Sequence, residues 1–335
     1  MSVGARLRVL AGIAAAGLML TACGGDGESG SGQDSYKIGI AQYVSHPSLD
    51  KSAEGFQAAF EEAGVEVEWD LQNAQADSAT NSSIAGGFAT GNHDLIAAIA
   101  TPSAQAVAQA VMDRPVVFMA VTDPAAAGLV ESPEKPGANV TGTSDRLPIA
   151  EQLSLVKQIS PDAKTVGIVY SSGETNSEVQ VADAKQAAPE LGLEIKESTI
   201  TNSAEVQQGV QALGDVDAIY VPTDNTVVSA LETVIGYAQE KKIPVVSADA
   251  DSVARGAVIT KGIDYYEHGK QAGEMALKVL QEDADPAETP VGFAPEDDLQ
   301  YVVNEEAAKA SGVTIPEEIL ADAEKVTAAD AESGN

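Results

Sequence analysis

From Lys37 onward, short apolar runs alternate with longer stretches in which apolar residues recur every three or four positions. K-I-G-I-A-Q-Y (37–43) reads as a strand. From about Leu49 the pattern predicts a helix with Leu49, Ala53, Phe56 and Phe60 on one face and Gly64 as its stop. Residues 65–71 alternate as a strand, and Asp77 or Ser78 can cap a helix ending near Gly91. Residues 95–100 form a strand apolar on both faces, 103–112 a helix, and 115–121 another buried-type strand. The pattern then restarts, with helices predicted over 149–159, 176–191, 204–213 and 226–241 and strands over 166–170, up to 200, 218–221 and 245–248. Such alternation implies parallel sheets covered by helices on both faces. Two successive units of similar size imply two lobes. Beyond Gly262 only a helix (266–281), a strand (299–303) and a short helix from Glu305 remain. They are too few for a third domain and are read as additions crossing back between the lobes. The tail, 326–335, is expected to be disordered.

The N-terminus adds a compartment. Arg6 and Arg8 precede an acid-free apolar stretch, 7–22. It is shorter than the about 20 apolar residues that span a bilayer and reads as a signal peptide, 1–22. L-T-A-C (20–23) is similar to a bacterial lipobox, and Cys23 is the only cysteine in the chain. Lipidation of Cys23 accounts for a thiol that has no disulfide partner in an oxidising compartment. The glycine- and serine-rich residues that follow read as a flexible tether, 23–35. The expected location is the extracytoplasmic face of the membrane. No second long apolar run follows. The net charge of −32, spread along the chain, reads as a solvated surface and makes nucleic acid a poor partner.

Catalytic signals are scarce. His46, His93 and His268 have no metal-ligand spacing and read as surface or turn residues. There is no G-x-S-x-G elbow. Gly86 to Gly91 lacks the lysine of a phosphate loop and reads as a small-residue helix packed close to the sheet. No enzyme activity, cofactor or metal is therefore expected. Binding signals are richer, because ligands of open α/β sheets lie beyond the carboxyl ends of the strands. The residues there are Gln42, Tyr43 and His46, then Thr101, Ser103 and Ala104, then Thr122 and Asp123. The second unit gives Tyr170, Glu174, Asn176 and Ser177, then Thr223, Asp224 and Asn225, then Asp249. Ser103 and Asp224 could each be only a helix cap. Polar residues recurring at nearly every strand end point to a ligand between the lobes.

The motifs H-P-S-L-D (46–50), A-T-P-S-A-Q-A (100–106), V-T-D-P-A-A-A-G-L-V (121–130), N-V-T-G-T-S-D (139–145), Y-S-S-G-E-T-N-S (170–177), V-P-T-D-N (221–225) and Y-Y-E-H-G (265–269) occur in order over nearly all of the mature body. With them the chain resembles the substrate-binding proteins of ABC transporters, in particular tryptophan/tyrosine-type importers. The resemblance implies a type I periplasmic-binding-protein fold: α/β, two Rossmann-like lobes with parallel sheets flanked by helices, and three hinge crossings. The crossings would fall near 143–145, 262–265 and 290–299. The first lobe would hold 36–144 and about 265–292, the second 145–263 and about 296–325. The implied protein is a monomeric lipoprotein that captures a small ligand and delivers it to a permease and ATPase. An aromatic or aliphatic amino acid is the expected ligand, with a nucleoside or other small organic molecule as the alternative. Ligand sensing is a second role open to the same fold, and a secreted enzyme a remote one. For an amino acid, Thr101, Ser103 and the backbone of Ala104 at a helix opening would hold the carboxylate. Asp249, ahead of Asp224, would hold the ammonium group.

Overall fold

The apolar runs become the strands of two sheets. The computed structural model describes residues 35–295 and 298–333. The expected signal peptide, the anchor at Cys23, the tether up to residue 34 and the last two residues lie outside the described residues, as does part of the third crossing, 296–297. The first half of the chain runs β1 (Tyr36–Gln42), α1 (Pro47–Glu62), β2 (Val67–Asn73), α2 (Ser78–Thr90), β3 (Leu95–Ile99), α3 (Thr101–Ala110), β4 (Val116–Met119) and β5 (Val140–Ser144). It crosses to α4 (Ile149–Ile159), β6 (Thr165–Ser171), α5 (Thr175–Ala187), β7 (Glu194–Ile200), α6 (Val206–Ala212), β8 (Ala218–Val221), α7 (Asn225–Ser229), α8 (Leu231–Lys241), β9 (Val245–Ser247), α9 (Asp251–Ala254) and β10 (Ile259–Gly262). It then crosses back to α10 (Tyr265–Gln281) and β11 (Gly292–Phe293), and ends with β12 (Gln300–Val303), α11 (Glu305–Ser311), α12 (Glu317–Asp322), β13 (Glu324–Lys325) and α13 (Ala328–Ser333).

The first sheet has the order β11-β5-β4-β3-β1-β2, with every pair parallel. The second has the order β13-β12-β10-β9-β8-β6-β7 and is parallel except for β10 against β12. Strands β3, β4, β8 and β9 are buried along their whole length, as strands covered on both faces must be. This is the α/β architecture of type I periplasmic-binding proteins. Trp69, on β2, packs edge-on against Phe60 at 5.4 Å, so the sole tryptophan belongs to the core.

Helix α10 follows the second crossing and packs on α1 through small residues. An added Cβ at Gly55 would meet the Tyr266 carbonyl oxygen at 1.9 Å, and one at Gly269 the Ser52 oxygen at 2.0 Å. The two backbones therefore touch, and α10 is fixed to the first sheet.

Two expectations fail. The glycines of α2 do not pack on the sheet: Gly86 and Gly87 face open space, and Ile84, Ala85 and Phe88 make the contact. The helix predicted over 226–241 is two, broken at Ala230, whose φ of −120 and ψ of 29 leave the helical region after the short α7. In the tail, Ala328–Ser333 is helical, and the Asp330 carboxylate accepts from the Thr327 N–H at 2.6 Å and hydroxyl at 2.8 Å.

Candidate functional site

The carboxyl ends of β4, β8 and β9 meet between the lobes around a narrow cavity of about 10 Å³, room for about one water. From the first lobe it is lined by His46, Ser48 and Leu49 at the start of α1, Ala120 past β4, and Tyr265 at the start of α10. From the other side come Thr223, Asn225, Val228 and Asp249, with Asp145 at the first crossing.

Two buried carboxylates face this space. Asp145 accepts from the Thr122 hydroxyl at 2.9 Å and from the Tyr265 hydroxyl at 3.0 Å. Burial pushes Asp145 above the ordinary carboxylate range; the two hydroxyl donors oppose this, and the nearby Asp249 charge adds to it. Asp249 follows β9 and accepts from the Ser252 N–H at 2.8 Å, the Ser252 hydroxyl at 2.6 Å and, across the lobes, the Ser48 hydroxyl at 3.1 Å. The Tyr220 hydroxyl, buried on β8, has no hydrogen-bond partner; burial and the charges of Asp249 and Asp145 hold it protonated. The lining contains no lysine or arginine.

His46 precedes the proline that starts α1, and both its ring nitrogens are buried, with no hydrogen-bond partner in good geometry among the described residues. Burial, and then the Arg255 charge, push it down to about 4, so the imidazole is neutral near pH 7. All three histidines are buried, contrary to the expectation of surface or turn positions. His268 Nε2 accepts from the Ala120 N–H at 3.1 Å and lies 3.1 Å from the Thr143 hydroxyl, and burial pushes this ring down to about 4. His93 Nε2 lies 3.1 Å from an Asp70 carboxylate oxygen. Ala120 has φ +53 and Ala100, past β3, φ +77. Alanine in this region is strained, and such strain clusters where a chain presents ligand groups.

Several residues singled out from the sequence are committed elsewhere. Asp224 caps α7 through the Val227 N–H at 2.8 Å and accepts from the Ser171 N–H and the Ser177 hydroxyl, both at 2.6 Å. Burial and the neighbouring Glu174 charge push it up to about 7. Glu174 is taken up by the side chains of Asn176, Asn225 and Thr226 and by two α7 N–H groups. Gln42 donates to Val44 and Asp50, Tyr43 to the Ala76 carbonyl, and Asp123 pairs with Arg146. Tyr170 is half-buried at the end of β6, away from the cavity lining. The expected carboxylate cradle also differs. Helix α3 opens at Thr101 rather than Ser103, so the Ala104 N–H is already bonded to the Ala100 carbonyl at 3.0 Å. The Ser103 hydroxyl donates to Asn81 at 2.8 Å, while the Thr101 hydroxyl is buried and unpartnered. Of the residues expected at the site, His46, Thr223, Asn225 and Asp249 line the cavity. Sequence reasoning missed Ser48, Leu49, Ala120, Asp145, Val228 and Tyr265. Asp145 and Tyr265 lie within N-V-T-G-T-S-D and Y-Y-E-H-G but were assigned to the crossings alone.

Other contacts join the lobes. Lys51 pairs with Asp251 at 2.5 Å, Arg146 pairs with Asp123, and the hydroxyls of Thr122 and Thr223 are 3.0 Å apart.

A family model described as ABC transporter substrate binding protein matches residues 37–327. The chain belongs to this family. Among curated relatives of this substrate-binding protein is a tyrosine-binding protein of Clostridioides difficile (strain R20291), 44% identical over 305 residues, covering 87% of this chain and 88% of the relative. An ABC domain from Streptococcus pneumoniae in complex with L-Trp is 38% identical, with a TM-score of 0.83 over 87% of this chain and 99% of that one. The ligand-free, open structure of a substrate-binding protein with adhesive properties from Clostridium difficile is 44% identical but gives a TM-score of only 0.65 over the same shares, 87% and 99%. The ABC substrate-binding protein thus superposes better on the tryptophan complex than on the open structure, although the open structure is nearer in sequence. Hydrogen bonds across its cleft hold its own lobes together.

Proposed function

We propose that this chain is the lipid-anchored, extracytoplasmic receptor of an ABC importer, and that its ligand is an amino acid with an aromatic side chain. One observation carries the ligand class: two buried carboxylates, Asp145 and Asp249, line one cavity that has no cationic side chain in its walls. A buried carboxylate needs a compensating partner, and the α-ammonium group of an amino acid supplies it. The neutral imidazole of His46 offers a donor to the α-carboxylate, and once the lobes part enough to widen a space that holds about one water, Leu49, Val228 and Tyr265 offer apolar surface to an aromatic ring. The tyrosine- and tryptophan-binding relatives support the same class. The lipobox at Cys23 supports anchoring, and the family supports delivery to a permease driven by an ATPase.

Calorimetric titration with L-tyrosine, L-tryptophan, L-phenylalanine, L-leucine and adenosine tests the ligand. An aromatic amino acid is expected to bind most tightly. Its analogue lacking the amine is expected to bind about 30-fold or more weakly, because the carboxylates then lose their partner. Equal affinity for that analogue, or preference for the nucleoside, would overturn the amino-acid reading. Anchoring is tested separately: Cys23→Ala is expected to release the protein from membranes, and an unlipidated wild-type residue 23 would refute it.

A further inference from the structure

A line of hydrogen bonds runs from the second lobe, through the first, to the crossing between them. The Gln180 side-chain amide, on α5, donates to the Thr223 hydroxyl at 2.5 Å. The Thr223 hydroxyl lies 3.0 Å from that of Thr122, which lies 2.9 Å from Asp145 Oδ1. The two ends fix the direction of the line. Gln180 Oε1 accepts from the Thr223 N–H at 3.2 Å, which orients its amide nitrogen toward the hydroxyl. A carboxylate at the far end only accepts. The Thr223 proton therefore points at Thr122, and the Thr122 proton at Asp145.

We propose that this Gln180–Thr223–Thr122–Asp145 chain couples lobe closure to the charge on Asp145: closing completes the line of donors and holds the carboxylate ready for the ammonium group of the ligand. The proposal rests on the reading that an ammonium group is bound there. Thr122 acts as a positioning residue, whereas Thr223 also lines the cavity. Thr122 lies outside the cavity lining and is 2% exposed, so its hydroxyl reaches the ligand only through Asp145. Thr122 and Thr223 come from opposite lobes, so their contact exists only when the cleft is shut. Hydrogen bonds in such a line polarise one another, and the last of them ends on a charge, where donors count most.

The groups facing Asp145 come from every neighbouring element. They are the Tyr265 hydroxyl of α10, Asp249 past β9, the Tyr220 hydroxyl of β8, and neutral His46 across the cavity. Arg146, next in sequence, is turned away to Asp123 and Asp183. Apart from Tyr265, Thr122 is the only side-chain donor recorded on this carboxylate among the described residues.

The test compares wild type with Thr122→Val, Thr223→Val, the double variant and Thr122→Ser, titrating L-tyrosine by calorimetry from about pH 5 to about pH 8. Each valine is expected to weaken binding about tenfold, and the double variant no more than about threefold beyond the weaker single, because either substitution breaks the same line. Thr122→Ser, which keeps the hydroxyl, is expected to stay within about threefold of wild type. An ionised Asp145 is needed for binding, so affinity falls as the pH drops through its titration. Losing the Thr122 donor raises that titration, and the fall is expected to begin at a higher pH in Thr122→Val. Multiplying effects in the double variant, failure of serine to restore binding, or an unchanged pH onset would each overturn the coupling. If wild type binds no amino acid, the ammonium reading fails. The same variants compared by urea unfolding of the ligand-free protein then decide the line itself: non-additive losses keep it and additive losses remove it.

Discussion

Asp224 and Asp249 occupy equivalent places, each just past a strand of the second sheet, and differ in what surrounds them. Asp224 is enclosed by the donors of its own lobe, whereas Asp249 lines the cavity and takes a donor from the opposite lobe. Asp249→Asn is therefore expected to weaken amino-acid binding by about 30-fold to several thousand-fold, the cost of about 2–5 kcal/mol for breaking a desolvated charge pair. Asp224→Asn places an N–H₂ group against donors and is expected to cost about 1–3 kcal/mol of stability, with affinity near wild type in the folded fraction. Calorimetry and urea unfolding of the two variants, beside Glu197→Gln as a surface control, read the contrast; affinity lost equally in both variants would count against it. The sequence made both aspartates visible, since each follows an apolar run, but their difference depends on Glu174 and Ser177, which come from α5 and the turn before it. Asp145 was hidden for another reason. No helix starts directly after it, and its importance comes from Thr122 and Tyr265, distant in sequence and adjacent only after folding.

At the scale of elements, apolar periodicity was a good guide wherever a strand is covered on both faces, as for β3 and β4, because burial leaves only apolar side chains there. It failed at Ala230, where no proline or glycine marks the break between α7 and α8. It also misplaced the close packing. The glycines of α2 lie on its exposed side, while those that matter join α1 to α10, two helices over two hundred residues apart in sequence. Gly273→Ala would bring a Cβ to 2.6 Å from the Phe56 carbonyl oxygen. This overpacking is expected to cost about 1–3 kcal/mol. Gly86→Ala meets nothing within 4 Å in the interior of a helix and is expected to stabilise by about 0.4–1 kcal/mol. Urea midpoints of the two variants should move in opposite directions; a shared direction would mean the helix contact is looser than described.

At the scale of the molecule, closure joins two bodies, and the bonds across the cleft bias the balance between open and shut. The Lys51–Asp251 pair lies at the cleft beside the cavity, with the lysine side chain 48% exposed and the aspartate 12%. Such a half-exposed pair contributes less than about 1 kcal/mol. Lys51→Met is therefore expected to weaken binding by about two- to fivefold without touching the ligand. Small-angle scattering is expected to show a smaller fraction of compact molecules in this variant at subsaturating L-tyrosine, and an unchanged affinity would remove the pair from the closure balance. The narrow cavity between the lobes has a consequence for rates. Its walls are buried, with Asp145 and Tyr265 each 4% exposed and Asp249 3%. Parting of the lobes is expected to widen the way out for a captured molecule, so its residence time depends on how often they part as well as on the strength of its contacts. Under the import role proposed above, a membrane partner that holds the two lobes apart would thereby set the moment of release.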